Sequence, residues 1–297
     1  MNYFQLLPQI IQHLTASNQA TGDYASLLSG SAALALRAAT AILVTGWSPS
    51  ISLNKPAELN EYALELGPFY LKDSSAATKG ELVRPREPIV LYEYDASPFC
   101  RKVREACAIL DLEVLCKPCP GARQGFSDEL FELTGRRTVP CLVDSTNGVD
   151  YMFESDDIIN YLFDTYGLGA TTVPFTLKGT FATLTCGLAA LARGMPASSM
   201  LPGTRPDTSQ MIPLTIFGYE PSPFVKPVRE KLCSLGLPHL VINTARGSVN
   251  RAKLIERTGK QFQVPYLIDP NTGVELFESI EIQKYLDDVY RSEVPPS

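Results

Sequence analysis

The second part of the chain alternates short apolar runs with amphipathic segments, a pattern that predicts buried strands followed by helices. The apolar runs at residues 89–94 and 214–219 are rich in β-branched and aromatic residues, as is typical of buried strands. Each run is followed by a Ser-Pro pair, at Ser97 and Ser222. Serine caps helices well and proline fits the first helical position, so both pairs predict a helix start.

These two places belong to an internal repeat. Residues 88–105 read PIVLYEYDASPFCRKVRE and residues 213–230 read PLTIFGYEPSPFVKPVRE, an offset of 125 from position 97 to position 222. Thr-Val-Pro at 138–140 returns as Gln-Val-Pro at 263–265, and Phe-Glu-Ser at 153–155 returns at 277–279. Three matched blocks in the same order indicate a duplicated domain.

Each copy predicts the same order of elements, β-α-β-α-β-β-α. Apolar positions Val103, Cys107 and Leu110 give the first helix of copy 1 its buried face, and a second strand, a helix, a hairpin and a last helix follow. We therefore predict an α/β protein with two such domains in tandem, copy 1 at residues 88–167 and copy 2 at 213–291.

The remaining segments do not repeat. Residues 168–212 predict an apolar helix and a linker rich in proline and glycine. Residues 1–87 predict a helical amino-terminal region, with helices at about 4–13, 24–44 and 59–70. The apolar stretches 31–47 and 173–192 leave contact with a membrane surface open as a weaker interpretation, and the first of them is shorter than the roughly 20 residues of a membrane span.

Charge and composition narrow the function classes. A net charge of −6 and a pI near 5.1 argue against nucleic acid as a partner. The seven cysteines are an odd number and no secretory signal opens the sequence, so we expect free thiols in a reducing compartment, the cytoplasm or a plastid, and not secretion. His13 and His239 have no Cys, Asp or Glu neighbour at metal-ligand spacing. We therefore expect no metal site and no Ser-His-Asp catalysis.

The order of the motifs resembles a known family. A strand, Ser-Pro-Phe-Cys at a helix start, Val-Pro before a strand and Glu-Ser before a last helix resemble the amino-terminal domain of glutathione transferases and the related glutaredoxins. The tandem copies, with Ala-Arg-Gly-Ser at 245–248 and Asp-Pro-Asn-Thr-Gly at 269–273, are similar to tandem proteins of this kind in plants and algae. The resemblance implies a thioredoxin fold in each copy, cis peptide bonds before Pro140 and Pro265, and glutathione as the ligand.

The same resemblance implies a set of site residues. In copy 1, Ser97 or Cys100 would meet the glutathione sulfur as the catalytic group. The backbone at Val139 and Pro140 would pair with the cysteinyl part of glutathione, and Glu154 with Ser155 would hold its γ-glutamyl end. Phe99 and Arg137 complete the predicted binding site. The predicted site of copy 2 consists of Ser222, Val264, Pro265, Glu278 and Ser279.

Several alternatives remain open. Ser97 and Ser222 are equally well explained as helix caps. Cys100 lacks the leading cysteine of a dithiol motif, and copy 2 has Val225 in its place. The Cys-Lys-Pro-Cys sequence at 116–119 closes a strand and does not open a helix, which favours a structural role. The chain is either a glutathione-binding protein that performs thiol transfer or conjugation in copy 1, or a non-catalytic scaffold or assembly factor with a protein partner.

Overall fold

A computed structural model describes residues 82–245, 248–260 and 263–291, together with the backbone of three earlier strands. These strands are Trp47–Ile51 (β1), Leu64–Leu66 (β2) and Phe69–Asp73 (β3), and β3 lies between the other two in an antiparallel sheet. The helix predicted over 59–70 is therefore wrong. Pro68 opposes a continuous helix there, and aromatic residues such as Phe69 favour strands. The helices predicted at 4–13 and 24–44 lie outside the described residues.

Both copies have the predicted order of elements. Copy 1 consists of Ile89–Glu93 (β4), Pro98–Ile109 (α1), Val114–Pro118 (β5), Ser127–Thr134 (α2), Cys141–Asp144 (β6), Val149–Met152 (β7) and Ser155–Tyr166 (α3). Gly179–Ala192 (α4) lies between the copies. Copy 2 consists of Leu214–Gly218 (β8), Val225–Ser234 (α5), His239–Asn243 (β9), Val249–Thr258 (α6), Tyr266–Asp269 (β10), Val274–Phe277 (β11) and Ser279–Tyr290 (α7). The prediction of two thioredoxin-like α/β domains is confirmed.

The two copies share one continuous sheet. Its eight strands run in the order β11-β10-β8-β9-β5-β4-β6-β7, so that β5 and β9 join the copies. These two strands are antiparallel, and Leu115 pairs with Leu240 at the centre of the junction. Because residue 115 of copy 1 corresponds to residue 240 of copy 2, the copies are related by an approximate twofold axis through this pair. The tandem repeat thus folds as an internal dimer.

Each copy has its own apolar core between the sheet and its helices. The predicted buried face of α1, at Val103, Cys107 and Leu110, is buried as expected. The core of copy 2 contains the equivalent face of α5 and residues of α7: Val228, Leu232, Leu235, Ile282 and Leu286. A single Leu or Ile buried in this way contributes about 1.5–3 kcal/mol through the hydrophobic effect.

Helix α4 packs against α1 of copy 1. Its other face leaves Phe181, Leu184, Leu188 and Leu191 exposed. Within the described segments, no helix has both the length and the apolar character that crossing a membrane requires. The alternative that this region rests on a membrane surface stays a prediction.

Candidate functional site

An open cleft in copy 1 brings together five of the predicted binding residues. Its volume is about 480 Å³, and it lies where β6 and α3 begin. The predicted residues that line it are Phe99, Val139, Pro140, Glu154 and Ser155. The cis peptide bond between Val139 and Pro140, implied by the family resemblance, is confirmed. The other residues that line the cleft are Thr138, Phe153, Asp156 and Asp157.

Glu154 immediately precedes α3 in an uncommon backbone conformation. Its φ is 66° and its ψ is 111°, a region that costs a non-glycine residue on the order of 1–3 kcal/mol. Ser155 opens the helix and is 6% exposed, and Asp156 and Asp157 follow in the first turn. Free N–H groups of a helix start can bind a carboxylate, while nearby acidic groups can bind an ammonium. This end of the cleft therefore suits a ligand that carries both groups, such as the end of an amino acid.

Ser97 and Cys100 lie beneath the surface beside this cleft and are not among the residues that line it. The Ser97 hydroxyl is buried and accepts a hydrogen bond from the Cys100 backbone N–H at 3.3 Å, which makes it the cap of α1. Cys100 is fully buried, and its burial raises the pKa of the thiol to about 12. The catalytic role predicted for these two residues stays a prediction.

Among the described residues, the cations that contact the cleft are Lys102 and Arg136, the neighbour of the predicted Arg137. The Lys102 ammonium bonds Asp156 at 2.6 Å. The Arg136 guanidinium lies 5.2 Å from the centre of the Phe153 ring. Arg137 instead forms an ion pair with Asp128 at 2.5 Å and stacks on Phe131 at 4.4 Å. A positive charge next to the Phe153 side of the cleft adds a second place for an anionic group.

Copy 2 repeats the backbone geometry, but its polar groups already have partners. Its Val264–Pro265 bond is cis, as implied, and Glu278 has a φ of 68°. The Glu278 carboxylate accepts a hydrogen bond from the side chain of Gln263, which replaces Thr138 of copy 1. The Ser279 hydroxyl accepts one from Gln283 at 3.3 Å. Among the described residues of copy 1, none hydrogen-bonds the carboxylate of Glu154.

Ser222 and Phe277 of copy 2 correspond to Ser97 and Phe153 of copy 1. The Ser222 hydroxyl accepts from the Val225 backbone N–H at 3.3 Å, as the Ser97 hydroxyl does from Cys100, although α5 begins only at Val225 with Phe224 in the cap position. The Lys260 ammonium lies 4.3 Å from the centre of the Phe277 ring, a contact similar to that of Arg136 with Phe153. Both copies therefore have the same backbone geometry at this site. The clearest difference is that Gln263 hydrogen-bonds the glutamate carboxylate in copy 2.

All seven cysteines are free and buried. Cys116 and Cys119 form no disulfide, and burial raises the pKa of both thiols well above the usual value. Burial likewise raises the pKa of Cys107 and of Cys141 to about 12. A reactive cysteine needs a lowered pKa and access to solvent, and none of these thiols has either.

A buried charge cluster at the junction was missed by the sequence reasoning. We call it the junction cluster, and its members are Glu93, Asp95, Arg104, Glu220, Lys226 and Arg229, all less than 9% exposed. Arg104 of copy 1 bonds Glu220 of copy 2 at 3.2 Å, and Lys226 of copy 2 bonds Asp95 of copy 1 at 2.9 Å. The repeated Val-Arg-Glu motif was its signal in the sequence, since Arg104 and Arg229 are equivalent positions.

The sequence profile described as "Glutathione S-transferase, N-terminal domain" matches this chain twice, at residues 91–170 and 216–293. The chain therefore belongs to the glutathione S-transferase family. It carries the amino-terminal domain of that family in two tandem copies. The similarity to plant and algal members specifically stays a prediction.

A solved structure of a Bombyx mori glutathione transferase in complex with GTT is 25% identical. The similarity covers 31% of this chain and 42% of that chain, with a TM-score of 0.26, so it adds nothing to the argument from the family. No curated protein matches the sequence.

Proposed function

We propose that copy 1 binds glutathione in the cleft between cis-Pro140 and the start of α3. The observation that carries this proposal is the open Glu154-Ser155 pair, placed across from the Val139-Pro140 bond in one cleft. The carboxylate of Glu154 would accept from the γ-glutamyl ammonium, and the first N–H groups of α3 would donate to its carboxylate. The family match makes glutathione the natural candidate among ligands with such an end.

We further propose that any thiol transfer or conjugation uses the sulfur of glutathione, not a cysteine of the protein. Cys100 is buried, with a pKa of about 12, so its thiolate is scarce and out of reach. A bound glutathione thiolate would attack an electrophilic carbon or a disulfide sulfur, and the group it displaces would leave with the bonding electron pair. The start of α1 near Ser97 would favour that thiolate through the helix dipole.

The test is calorimetric titration of the reduced protein with glutathione. Glu154→Gln keeps the shape of the side chain and removes its charge. Because a hydrogen bond to a charged group contributes about 1.5–3 kcal/mol, we expect binding about 10- to 150-fold weaker. The matched control is Glu278→Gln, at the equivalent position of copy 2, which should leave the affinity unchanged. No binding by the wild-type chain at several millimolar glutathione would refute the proposal.

The stoichiometry gives a second test. Gln263 hydrogen-bonds the carboxylate of Glu278, so this carboxylate is not free to bind a ligand in copy 2. We therefore expect one glutathione per chain. Gln263→Thr installs the residue of copy 1, Thr138, and should free Glu278, so that a second, weaker site becomes measurable. Two sites in the wild-type chain, or one site in the variant, would contradict this account of copy 2.

A further inference from the structure

Three side chains with metal-binding atoms meet at the junction of the two copies. They are Glu93 on β4, Cys116 on β5 and His239 on β9, and all three are buried. Cys116 and His239 are direct partners across the antiparallel pair that joins the copies. The equivalent positions in the other copy hold Gly218, Val241 and Val114, which have no such atoms. Copy 1 and copy 2 therefore differ at all three positions, and each of the three polar residues replaces a glycine or valine of the other copy.

Two polar atoms of this trio lack hydrogen-bond partners, whereas Sγ of Cys116 accepts from Arg229 at 3.9 Å and Oε2 of Glu93 accepts from Arg104. Nδ1 of His239 lies 2.9 Å from the Leu237 carbonyl oxygen, so this nitrogen carries the proton and Nε2 presents a lone pair. Nε2 of His239 and Oε1 of Glu93 are buried without a hydrogen bond in the described structure. For Nε2 of His239 this costs about 1–3 kcal/mol, whereas Oε1 of Glu93 has the Arg229 guanidinium 3.5 Å away. A histidine fixed through Nδ1 by a carbonyl is the usual arrangement of a metal-binding imidazole.

The distances fit a small cation after a modest contraction. The ligand atoms of the three residues lie within 4.8 Å of one another. Zinc bonds of about 2.0–2.3 Å in tetrahedral geometry place ligand atoms about 3.4–3.8 Å apart. A cavity of about 20 Å³ adjoins Cys116, but Glu93 and His239 do not line it, so the three side chains are the ligands that the described structure offers.

We propose that Glu93, Cys116 and His239 form a zinc site that joins the two copies. Thiolate, imidazole and carboxylate are the three donors that Zn²⁺ prefers, and hard ions such as Mg²⁺ do not take such a set. Zn²⁺ would replace the proton of Cys116, so one proton is released for each ion bound. None of these residues lines the proposed glutathione cleft, so the zinc site and the proposed function can be tested independently.

The charges around the site set the strength of binding. The junction cluster has three carboxylates and three cations, and its Arg229 lies 3.5 Å from Oε1 of Glu93 and 3.9 Å from Sγ of Cys116. Zn²⁺ with one thiolate adds one positive charge to this balanced set. Arg229 keeps its ion pair with Glu220, while Glu93 Oε1 turns to the metal. We therefore expect weaker binding than in sites with several thiolates, and tighter binding as the pH rises.

Co²⁺ is the probe, because a cobalt–thiolate bond gives a near-ultraviolet absorption band and tetrahedral Co²⁺ absorbs strongly in the visible range. Titration of the full reduced chain should saturate this band at one ion, and Zn²⁺ should then displace it. Cys116→Val and His239→Val install the residues of the other copy, and each should abolish the band. Cys141→Ala, which removes a buried thiol outside the site, should retain it.

The cobalt–thiolate band distinguishes a zinc site from its absence. A thiolate band in the wild-type chain and in Cys141→Ala, with none in the two site variants, supports the zinc site. No thiolate band in the wild-type chain, or an unchanged band in Cys116→Val, overturns it. Circular dichroism checks that the variants fold, and Cys116→Ser, nearly equal in size to cysteine, gives the same test if Cys116→Val does not fold. Glutathione titrations of the same variants show whether the cleft is affected independently.

Discussion

Glu220 offers the sharpest test of how the two copies are held together. Its carboxylate is 4% exposed and bonds Lys226 at 3.0 Å and Arg104 at 3.2 Å, and it also pairs with Arg229. Glu220→Gln keeps the shape and removes the charge, which leaves three buried cations facing two carboxylates. Loss of one partner from a buried ion pair costs about 3–5 kcal/mol. Since domains are stable by about 5–15 kcal/mol, the loss would be a large share of the total.

Urea unfolding followed by circular dichroism at pH 7 measures this cost. The matched control is Asp128→Asn, which breaks the exposed ion pair with Arg137 and should change the unfolding free energy by less than about 1 kcal/mol. If Glu220→Gln falls within about 1 kcal/mol of the wild-type chain, the junction cluster does not hold the copies together and the reasoning is refuted.

The pH dependence of stability provides an independent check. Burial alone would raise the pKa of Asp95, but the charges of Lys226 and Arg104 outweigh it and lower the pKa to about 2. Burial opposes the cations in the same way at Glu220, whose pKa lies well below the usual value. A carboxyl with a lowered pKa stabilises the fold above its unfolded pKa of about 4, and this contribution is lost as the pH falls through the folded value. The wild-type chain should therefore lose stability between about pH 4 and 2, and Glu220→Gln should lose less.

Two further predictions concern buried groups away from the junction. The Tyr290 hydroxyl donates to the buried carboxylate of Asp269, so Tyr290→Phe should destabilise the chain by about 1–2 kcal/mol in thermal unfolding, and an unchanged melting temperature would contradict this. Because burial raises the pKa of Cys100 to about 12, iodoacetamide at pH 8 should label the native chain far more slowly than the chain in urea. Rapid labelling of one native thiol would show that a cysteine is reactive after all.

The elements of each copy and most of the cleft could be predicted from the sequence, because their signals are local. Ser97 and Pro98 mark the start of α1, and the Val-Pro and Glu-Ser blocks mark the two sides of the cleft. The helix predicted over 59–70 is wrong because the apolar residues there fit a helix and a hairpin about equally, and Pro68 decides against the helix. Short apolar runs do not distinguish the two by periodicity alone.

The junction could not be predicted from the sequence, because its partners are distant along the chain. A buried strand such as β5 has the same apolar pattern whether its outer neighbour is solvent, another domain or a second molecule. Rules of ligand spacing test residues that are neighbours in sequence, whereas His239 meets Cys116 only through the pairing of β9 with β5. Likewise, the contact of Gln263 with Glu278 depends on two loops that only the folded chain brings together.

Comparison of equivalent positions in the two copies connects the junction with the proposed ligand site. Arg104 and Arg229 occupy equivalent positions, and each bonds Glu220, so loss of either arginine would leave three buried acids facing two cations. Cys100 has no part in the junction cluster, and its equivalent Val225 fills the same buried place without a thiol. The shared arginines thus help to hold the junction, whereas the pair Thr138 and Gln263, which differ, decides whether the carboxylate of the following Glu-Ser block has a side-chain partner. This difference is the reason that we expect the symmetric frame to carry the single ligand site proposed for copy 1.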